Sequence, residues 1–300
     1  MHLRSILTAH NVSTTALLTN YWKNVAKAKE NWPTLCQKQG KRDKDLFKDP
    51  LMSLFVDADI TAEAALRLDK KMWLSLATRT RFFRRTVSLA VKQKAVKQII
   101  ILGSGFDTLP ARKLKYTQKF GVKFIEIDQP SILNCKKDIY TENQIDSNAK
   151  YIELDYIKEN LIDALKKHDI DFAESTLILW EGNTFYLEAS EVIGILRSLA
   201  AHFEKLIISF DFLHASMQTH TKELDQAASD QSLTKTLDQF SKKKSPFKAF
   251  FEPKDLISQC EGFGIRCIDH KTAAELAEGY EVDEEPYYTG ETYSMISFER

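Results

Sequence analysis

The stretch Gln98–Thr108, QIIILGSGFDT, decides the fold class of this chain of 300 residues. Four apolar residues, Ile99–Leu102, run directly into Gly103-Ser104-Gly105, a pattern typical of a buried strand that ends in a tight loop. The residues that follow favour a helix start, because Asp or Thr can cap free N–H groups and Pro is tolerated in the first turn. Strand, glycine loop and helix start form the unit with which α/β proteins hold a nucleotide-like ligand.

Strand-like and helical segments alternate after this loop, which predicts βαβ units and a mostly parallel sheet. The last two strands are joined by a loop without a closing crossover helix, which predicts an antiparallel arrangement at that side of the sheet. The predicted strands are Ile99–Leu102, Lys123–Ile127, Tyr151–Leu154, Thr176–Trp180, Leu206–Phe210, Ile265–Asp269 and Thr292–Phe298.

The rest of the chain favours helices. Residues 1–97 contain little Gly or Pro, with helical segments expected at 12–28 and 61–94 around a charged loop at 38–48. The polar, helix-prone residues 214–250 interrupt the alternation after the fifth strand. We therefore expect one domain over 1–300, with an N-terminal helical part at 1–97, a core at 98–213 and 251–300, and a helical insert at 214–250.

Composition excludes several functional classes. Lys+Arg and Asp+Glu are equal at 42 each, so no basic excess supports a nucleic-acid or anionic-membrane partner. No apolar run approaches the roughly 20 residues of a membrane span, and no signal peptide is recognisable. The four cysteines form no C-x-x-C pair, so we expect no metal site and free thiols in a reducing cytoplasm.

Acidic residues stand at the ends of four successive predicted strands: Asp128, Asp155, Glu181 and Asp211. In an open α/β sheet, ligands bind outside the carboxyl ends of the strands. A row of carboxylates at that edge suits a ligand rich in hydroxyl and amino donors and does not suit a naked polyphosphate.

The loop and the acids together favour S-adenosylmethionine as the ligand. The dinucleotide fingerprint would need a third glycine where this chain has Thr108, and no P-loop motif occurs. Asp128, 23 positions after Gly105, can accept hydrogen bonds from both ribose hydroxyls. Asp155 can accept from the adenine amino group, with Tyr156 against the ring. S-adenosylmethionine offers ribose, adenine and an amino-acid tail without phosphate.

Five motifs follow one another along the chain: Phe47–Leu51 (FKDPL), Thr78–Phe83 (TRTRFF), Ile101–Thr108 (ILGSGFDT), Glu126–Pro130 (EIDQP) and Glu181–Leu187 (EGNTFYL). Together they resemble the leucine carboxyl methyltransferase family, and within it the bacterial S-adenosylmethionine-dependent branch. The resemblance implies a class I, Rossmann-like methyltransferase fold: a mostly parallel seven-stranded sheet with an antiparallel last strand, an N-terminal helical extension and a helical insert after the fifth strand.

The resemblance also implies roles for single residues. It puts the cofactor carboxylate on Arg79, with Arg81 as second choice, and the methionine part at the Gly103-Ser104-Gly105 loop. It puts Glu181 near the methionine end, between cofactor and acceptor. Ribose falls on Asp128, and adenine on Asp155 and Tyr156. The pair Asn183-Thr184 is more polar than is usual in the family.

We expect an O-methyltransferase that acts on a carboxylate or hydroxyl of a small molecule. A carboxylate acceptor is already ionised, whereas a hydroxyl acceptor would benefit from a general base. No catalytic residue is assigned, although Tyr186, His202 and His214 are polar candidates. Three alternatives stay open: a protein C-terminal leucine carboxyl methyltransferase, an NAD(P)-dependent oxidoreductase, and a non-catalytic member that binds a partner protein.

Overall fold

A computed structural model describes residues 6–7, 9–10, 49–55, 72–219, 247–278 and 288–300. The predicted helix at 12–28, the charged loop at 38–48 and most of the predicted insert lie outside these ranges. The described helices are α1 (Met72–Gln93), α2 (Leu109–Arg112), α3 (Leu114–Phe120), α4 (Pro130–Glu142), α5 (Leu161–Lys167), α6 (Ala189–His202), α7 (Ala215–Thr219), α8 (Pro253–Glu261), α9 (Ala273–Ala277) and α10 (Tyr288–Glu291). Within the described ranges, every helix is too short or too polar to span a bilayer.

The strands form one sheet in the order β3-β2-β1-β4-β5-β8-β7, with the short β6 paired to the end of β5. Their bounds are β1 (Gln98–Leu102), β2 (Lys123–Asp128), β3 (Ala149–Glu153), β4 (Thr176–Trp180), β5 (Leu206–His214), β6 (Phe250–Phe251), β7 (Arg266–Thr272) and β8 (Tyr293–Glu299). The strands from β3 to β5 pair in parallel, whereas β8 is antiparallel to both its neighbours. The predicted fold class is confirmed, and β8 lies between β5 and β7 rather than at the edge.

Helices cover both faces of the sheet because the central strands are apolar on both sides. Ile99 and Ile101 of β1 pack in one core with α1, and Ile100 and Leu102 pack in the opposite core with α6. One face of α1 is buried at Leu76, Phe83, Val87 and Val91, whose separations of 7, 4 and 4 positions are typical of one helix face. The strand that carries the glycine loop is therefore rigidly held at the centre of the fold.

Strand β5 is longer than the sequence predicts. The predicted end was Phe210, but the strand continues to His214, because it pairs with β8 from Ile207 through Leu213. Asp211 therefore lies inside the strand and is fully buried, instead of following the strand at an exposed end. This extension places the carboxylate of Asp211 against the loop that follows β4.

A buried ion pair connects β2 to the helix that follows it. Lys136 of α4 contacts Glu126 of β2, and both side chains are fully buried. Burial raises the pKa of Glu126 to about 7, although the positive charge of Lys136 opposes the shift. The Glu126 carboxyl therefore ionises only near neutral pH, and Lys136 offsets part of the desolvation cost of its charged form.

Replacing Lys136 should reveal the desolvation cost of the buried Glu126 carboxylate as a loss of stability. We expect Lys136→Met to lower the free energy of unfolding by about 3–5 kcal/mol at pH 8, because it leaves a buried carboxylate without a partner. The loss should be smaller at pH 5, since a raised folded-state pKa stabilises the protonated form and that contribution disappears as pH rises through it. Urea unfolding at both pH values measures this. The double variant Glu126→Gln/Lys136→Met should be more stable than Lys136→Met. Equal free energies of unfolding of the wild type, Lys136→Met and the double variant at pH 8 would contradict the argument.

Candidate functional site

The glycine loop after β1 has backbone angles that residues other than glycine rarely adopt. Gly103 and Gly105 have φ angles of +67° and +50°, in the region that favours glycine. The backbone N–H groups of Gly103 and Ser104 both donate to the carbonyl of Ile127, at 2.8 and 3.1 Å. A Cβ on Gly103 would lie 2.5 Å from Nδ2 of Asn183, whereas a Cβ on Gly105 would meet nothing within 4 Å. The loop is therefore closely packed at its first glycine and open at its second.

Asp128, the last residue of β2, is fixed against this loop. Its Oδ2 accepts a hydrogen bond from the N–H of Gly105 at 2.6 Å, and its Oδ1 accepts from the N–H of Gln129 at 2.7 Å. Burial raises the pKa of Asp128, and these two backbone donors oppose the shift. Each carboxylate oxygen keeps a further lone pair, so the group can still accept from a bound hydroxyl.

The next strand brings Asp155 and Tyr156 to the same edge. Asp155 accepts from Lys158 Nζ at 2.8 Å and from Gln129 Nε2 at 3.4 Å, and it is half-buried. The Tyr156 hydroxyl accepts from Trp180 Nε1 at 3.3 Å and lies 3.0 Å from where a Cβ of Gly103 would stand. Tyr156 therefore reaches the loop from the side of β3, whereas Asp155 contacts Gln129 beyond the end of β2. The contacts of both residues with adenine stay predictions.

Arg79 of α1 reaches the edge from the opposite face of the sheet and is buried. Its Nε donates to Glu181 Oε1 at 2.9 Å, and its Nη1 donates to Asp211 Oδ2 at 3.2 Å and to the Tyr293 hydroxyl at 2.9 Å. Burial alone would lower the pKa of Arg79, but Tyr293, Glu181 and Asp211 outweigh it and raise the pKa well above its ordinary value. The guanidinium is thus permanently charged and held in one orientation.

Arg81, the second choice for the cofactor carboxylate, lies elsewhere on the same helix. Two positions along an α-helix turn a side chain by about 200°. Arg79 faces the sheet edge, so Arg81 points to nearly the opposite side, where it is half-buried. The geometry therefore favours Arg79 over Arg81.

The loop after β4 joins these two parts of the site. Nδ2 of Asn183 donates to the carbonyls of Gly103 at 2.9 Å and Glu181 at 2.8 Å. The Thr184 hydroxyl donates to the carbonyl of Asp211. The unusually polar pair Asn183-Thr184 thus connects the loop after β4 to the glycine loop and to strand β5.

Three residues of this arrangement were not predicted as site residues: Asn183, Asp211 and Tyr293. Asp211 was visible only as one of the strand-end acids, yet its Oδ1 also accepts from the N–H of Gly182 at 2.7 Å. Tyr293 is buried, and its hydroxyl donates a hydrogen bond to Asp211. No sequence signal marks Tyr293, because its partners lie more than 80 positions away.

The three polar candidates for a general base have different surroundings. His202 is exposed at the end of α6, which leads into the start of β5, so it lies at the opposite edge of the sheet from the loops. His214 Nε2 lies 2.7 Å from Ser294 Oγ, and burial with the neighbouring His270 lowers the pKa of His214 to about 4. Burial raises the pKa of Tyr186, which lies near Arg79 and Asp211, so its hydroxyl stays protonated near neutral pH.

The sequence profile of the family described as "Leucine carboxyl methyltransferase" matches residues 34–200, more than half of the chain. The chain belongs to this family. It is therefore an S-adenosylmethionine-dependent methyltransferase, as the motifs implied. This membership favours a methyltransferase over the nicotinamide-dependent and non-catalytic alternatives. No curated protein matches the chain in sequence.

Solved structures show the same fold. A DUF574-family protein from Streptomyces avermitilis is 12% identical over 98% of this chain and 99% of its own, with a TM-score of 0.59. A putative methyltransferase from Thermobifida fusca is 17% identical over 80% of this chain and 85% of its own, with a TM-score of 0.55. The first match covers nearly the whole length of both chains, so the fold of the described residues recurs in it.

The contrast between the two glycines can be tested by substitution. We expect Gly105→Ala to cost about 1–2 kcal/mol of stability, because it adds only the strain of a positive φ. Gly103→Ala should cost more, since its Cβ also collides with Asn183. Chemical unfolding of both variants measures this. The double variant Gly103→Ala/Asn183→Ala should recover part of the loss, and strictly additive effects would contradict the proposed collision.

Proposed function

We propose that the carboxyl edge of the sheet binds S-adenosylmethionine through Arg79, Gly103, Ser104, Gly105, Asp128, Asp155, Tyr156 and Glu181. The observation that carries this proposal is Asp128, whose two oxygens are oriented by two backbone N–H groups, one from Gly105 in the glycine loop and one from Gln129, the next residue of the chain. A carboxylate fixed in this way is ready to accept hydrogen bonds from a ribose diol without reorganising.

Two further observations support the fit. The Ser104 hydroxyl is buried without a hydrogen-bond partner among the described residues, so a polar ligand at the loop would satisfy it. Within the described ranges, Arg79 bonds to the protein through Nε and Nη1, which leaves its Nη2 to donate to the carboxylate of an amino-acid tail. When bound, the cofactor supplies an activated methyl group, and these residues bind and align it.

We further propose that the acceptor atom is an oxygen of a small molecule, either a carboxylate or a hydroxyl. The family takes its name from methylation of a carboxyl group, and the motifs resemble its bacterial branch. Tyr186 stays protonated and His214 is bonded to Ser294, so neither is poised as a base. This arrangement suits an acceptor that is already ionised. A C-terminal leucine carboxylate is the second candidate, because the family description names it.

The cofactor site is tested by binding of S-adenosylhomocysteine, measured by calorimetry. We expect the wild type to bind, and Asp128→Asn to raise Kd about 10- to 100-fold, because one charged acceptor is lost. Glu153→Gln is the matched control, since Glu153 pairs in register with Asp128 on the adjacent strand but bonds to Lys137. Its Kd should be unchanged. Absence of binding by the wild type at millimolar ligand would reject the proposed site.

The acceptor class is tested by transfer of a labelled methyl group to a panel of aromatic and aliphatic carboxylic acids, phenols and a peptide with C-terminal leucine. Methyl esters release volatile methanol in mild base, whereas methyl ethers do not. We expect base-labile product from a small carboxylic acid. Base-stable product from a phenol would move the assignment to a hydroxyl acceptor. Product from the peptide alone would establish the second candidate instead.

A further inference from the structure

A turn from far upstream in the chain docks on the outer side of the glycine loop. This upstream turn, Asp49–Phe55, includes a short 3₁₀ helix at Met52–Phe55. The Phe55 ring stacks on Phe106 of the loop, with ring centroids 4.9 Å apart and an interplanar angle of 19°, and both side chains are buried. The loop therefore lies between β2 on one side and the upstream turn on the other.

A buried carboxylate forms the polar half of this contact. Asp49 Oδ2 accepts a hydrogen bond from the Thr108 hydroxyl at 2.6 Å and lies 3.3 Å from Nε of Arg112. Its Oδ1 accepts from the N–H of Leu51 at 3.1 Å. Nε of Arg112 also donates to Thr108 Oγ1 at 2.7 Å. Asp49, Thr108 and Arg112 thus form a closed set of three mutual contacts, in which Asp49 and Thr108 are buried.

The two anchors hold the part of the loop that presents its N–H groups. Phe106 and Thr108 directly follow Gly105, whose N–H orients Asp128. The loop is short and internally bonded, since the N–H of Asp107 donates to the carbonyl of Ser104 at 2.9 Å. A displacement of Thr108 is therefore passed on to Gly105 and changes the geometry of its bond to Asp128.

We propose that Asp49 is a positioning residue for the cofactor, acting through Thr108 and Arg112 on the loop that faces Asp128. The inference rests on the proposed cofactor site. Coupling between two binding events is reciprocal, so a ligand on the loop also tightens the docking of the upstream turn. The upstream turn thereby links the N-terminal part of the chain to cofactor occupancy.

The first test compares substitutions that keep the size of the side chain. Asp49→Asn keeps an acceptor for Thr108 but removes the charge that faces Arg112, and Thr108→Val removes the hydroxyl. We expect each to raise the Kd for S-adenosylhomocysteine about fivefold or more. Thr108→Ser keeps the hydroxyl and should stay within about twofold of the wild type. Asp138→Asn is the matched control, because Asp138 contacts His10 at 2.7 Å and so also joins N-terminal residues to the core, but away from the loop.

The second test measures hydrogen exchange of the upstream turn, which a purely structural role of Asp49 would not link to ligand. S-adenosylhomocysteine should slow exchange in Asp49–Phe55 in the wild type and in Asp138→Asn, and should have no such effect in Asp49→Asn.

The outcomes separate this inference from the proposed function. A wild type that binds no S-adenosylhomocysteine overturns both. A wild type that binds, with unchanged Kd in Asp49→Asn or Thr108→Val, or with ligand-independent exchange in the turn, overturns the positioning role alone. If Asp49→Asn does not fold, the Thr108→Val and Thr108→Ser pair decides the question.

Discussion

The buried guanidinium of Arg79 is the interaction on which the site depends. A charge removed from water is unfavourable unless good partners replace the solvent, and removing one partner of a buried pair leaves the other uncompensated. Here the partners come from three different elements: Glu181 after β4, Asp211 within β5 and Tyr293 at the start of β8. The helix α1 can therefore pack correctly only when the carboxyl ends of β4 and β5 and the start of the antiparallel β8 are in register.

This requirement explains why the site is rigid at one end and open at the other. Around Arg79 nearly every polar group is satisfied within the protein, and Asn183 extends the same bonding to the glycine loop. Around Ser104 and Gly105 the loop keeps an unpartnered hydroxyl and open space. The charged end fixes the orientation of Arg79, and the open end leaves room for the ligand beside it. A methyl-transfer site needs this division, because alignment of donor and acceptor is the main contribution that the protein makes.

The sequence predicts those parts of the fold that depend on local pattern. The apolar run of β1, the positive-φ glycines and the apolar face of α1 each follow from spacing over a few residues. The position of Asp128 could be predicted because the carboxyl ends of neighbouring parallel strands lie at the same edge of the sheet. The extension of β5 could not be predicted, because an acidic residue after an apolar run is typical of a strand end. The strand continues past Asp211 because it pairs with β8, which is distant in sequence.

The contacts of Tyr293 and Asp49 show the limit of such reasoning more clearly. Both residues act on partners that are distant in sequence, and nothing in their immediate neighbours distinguishes them from ordinary core or turn residues. Asp49 lay within a motif that resembles the family, yet the motif alone did not say which loop it would touch. Only the three-dimensional arrangement shows that the turn and the glycine loop are one unit.

The position of β8 between β5 and β7 has a consequence for the order in which the molecule can assemble. Strand β5 is synthesised well before β8, so one side of this long, almost wholly buried strand lacks its final neighbour until the rest of the sheet has emerged from the ribosome. An unpaired apolar strand is prone to pair with other chains. Arrival of β8 covers that strand and at the same moment brings Tyr293 to Arg79. Closure of the sheet and completion of the charged centre are thus a single folding event.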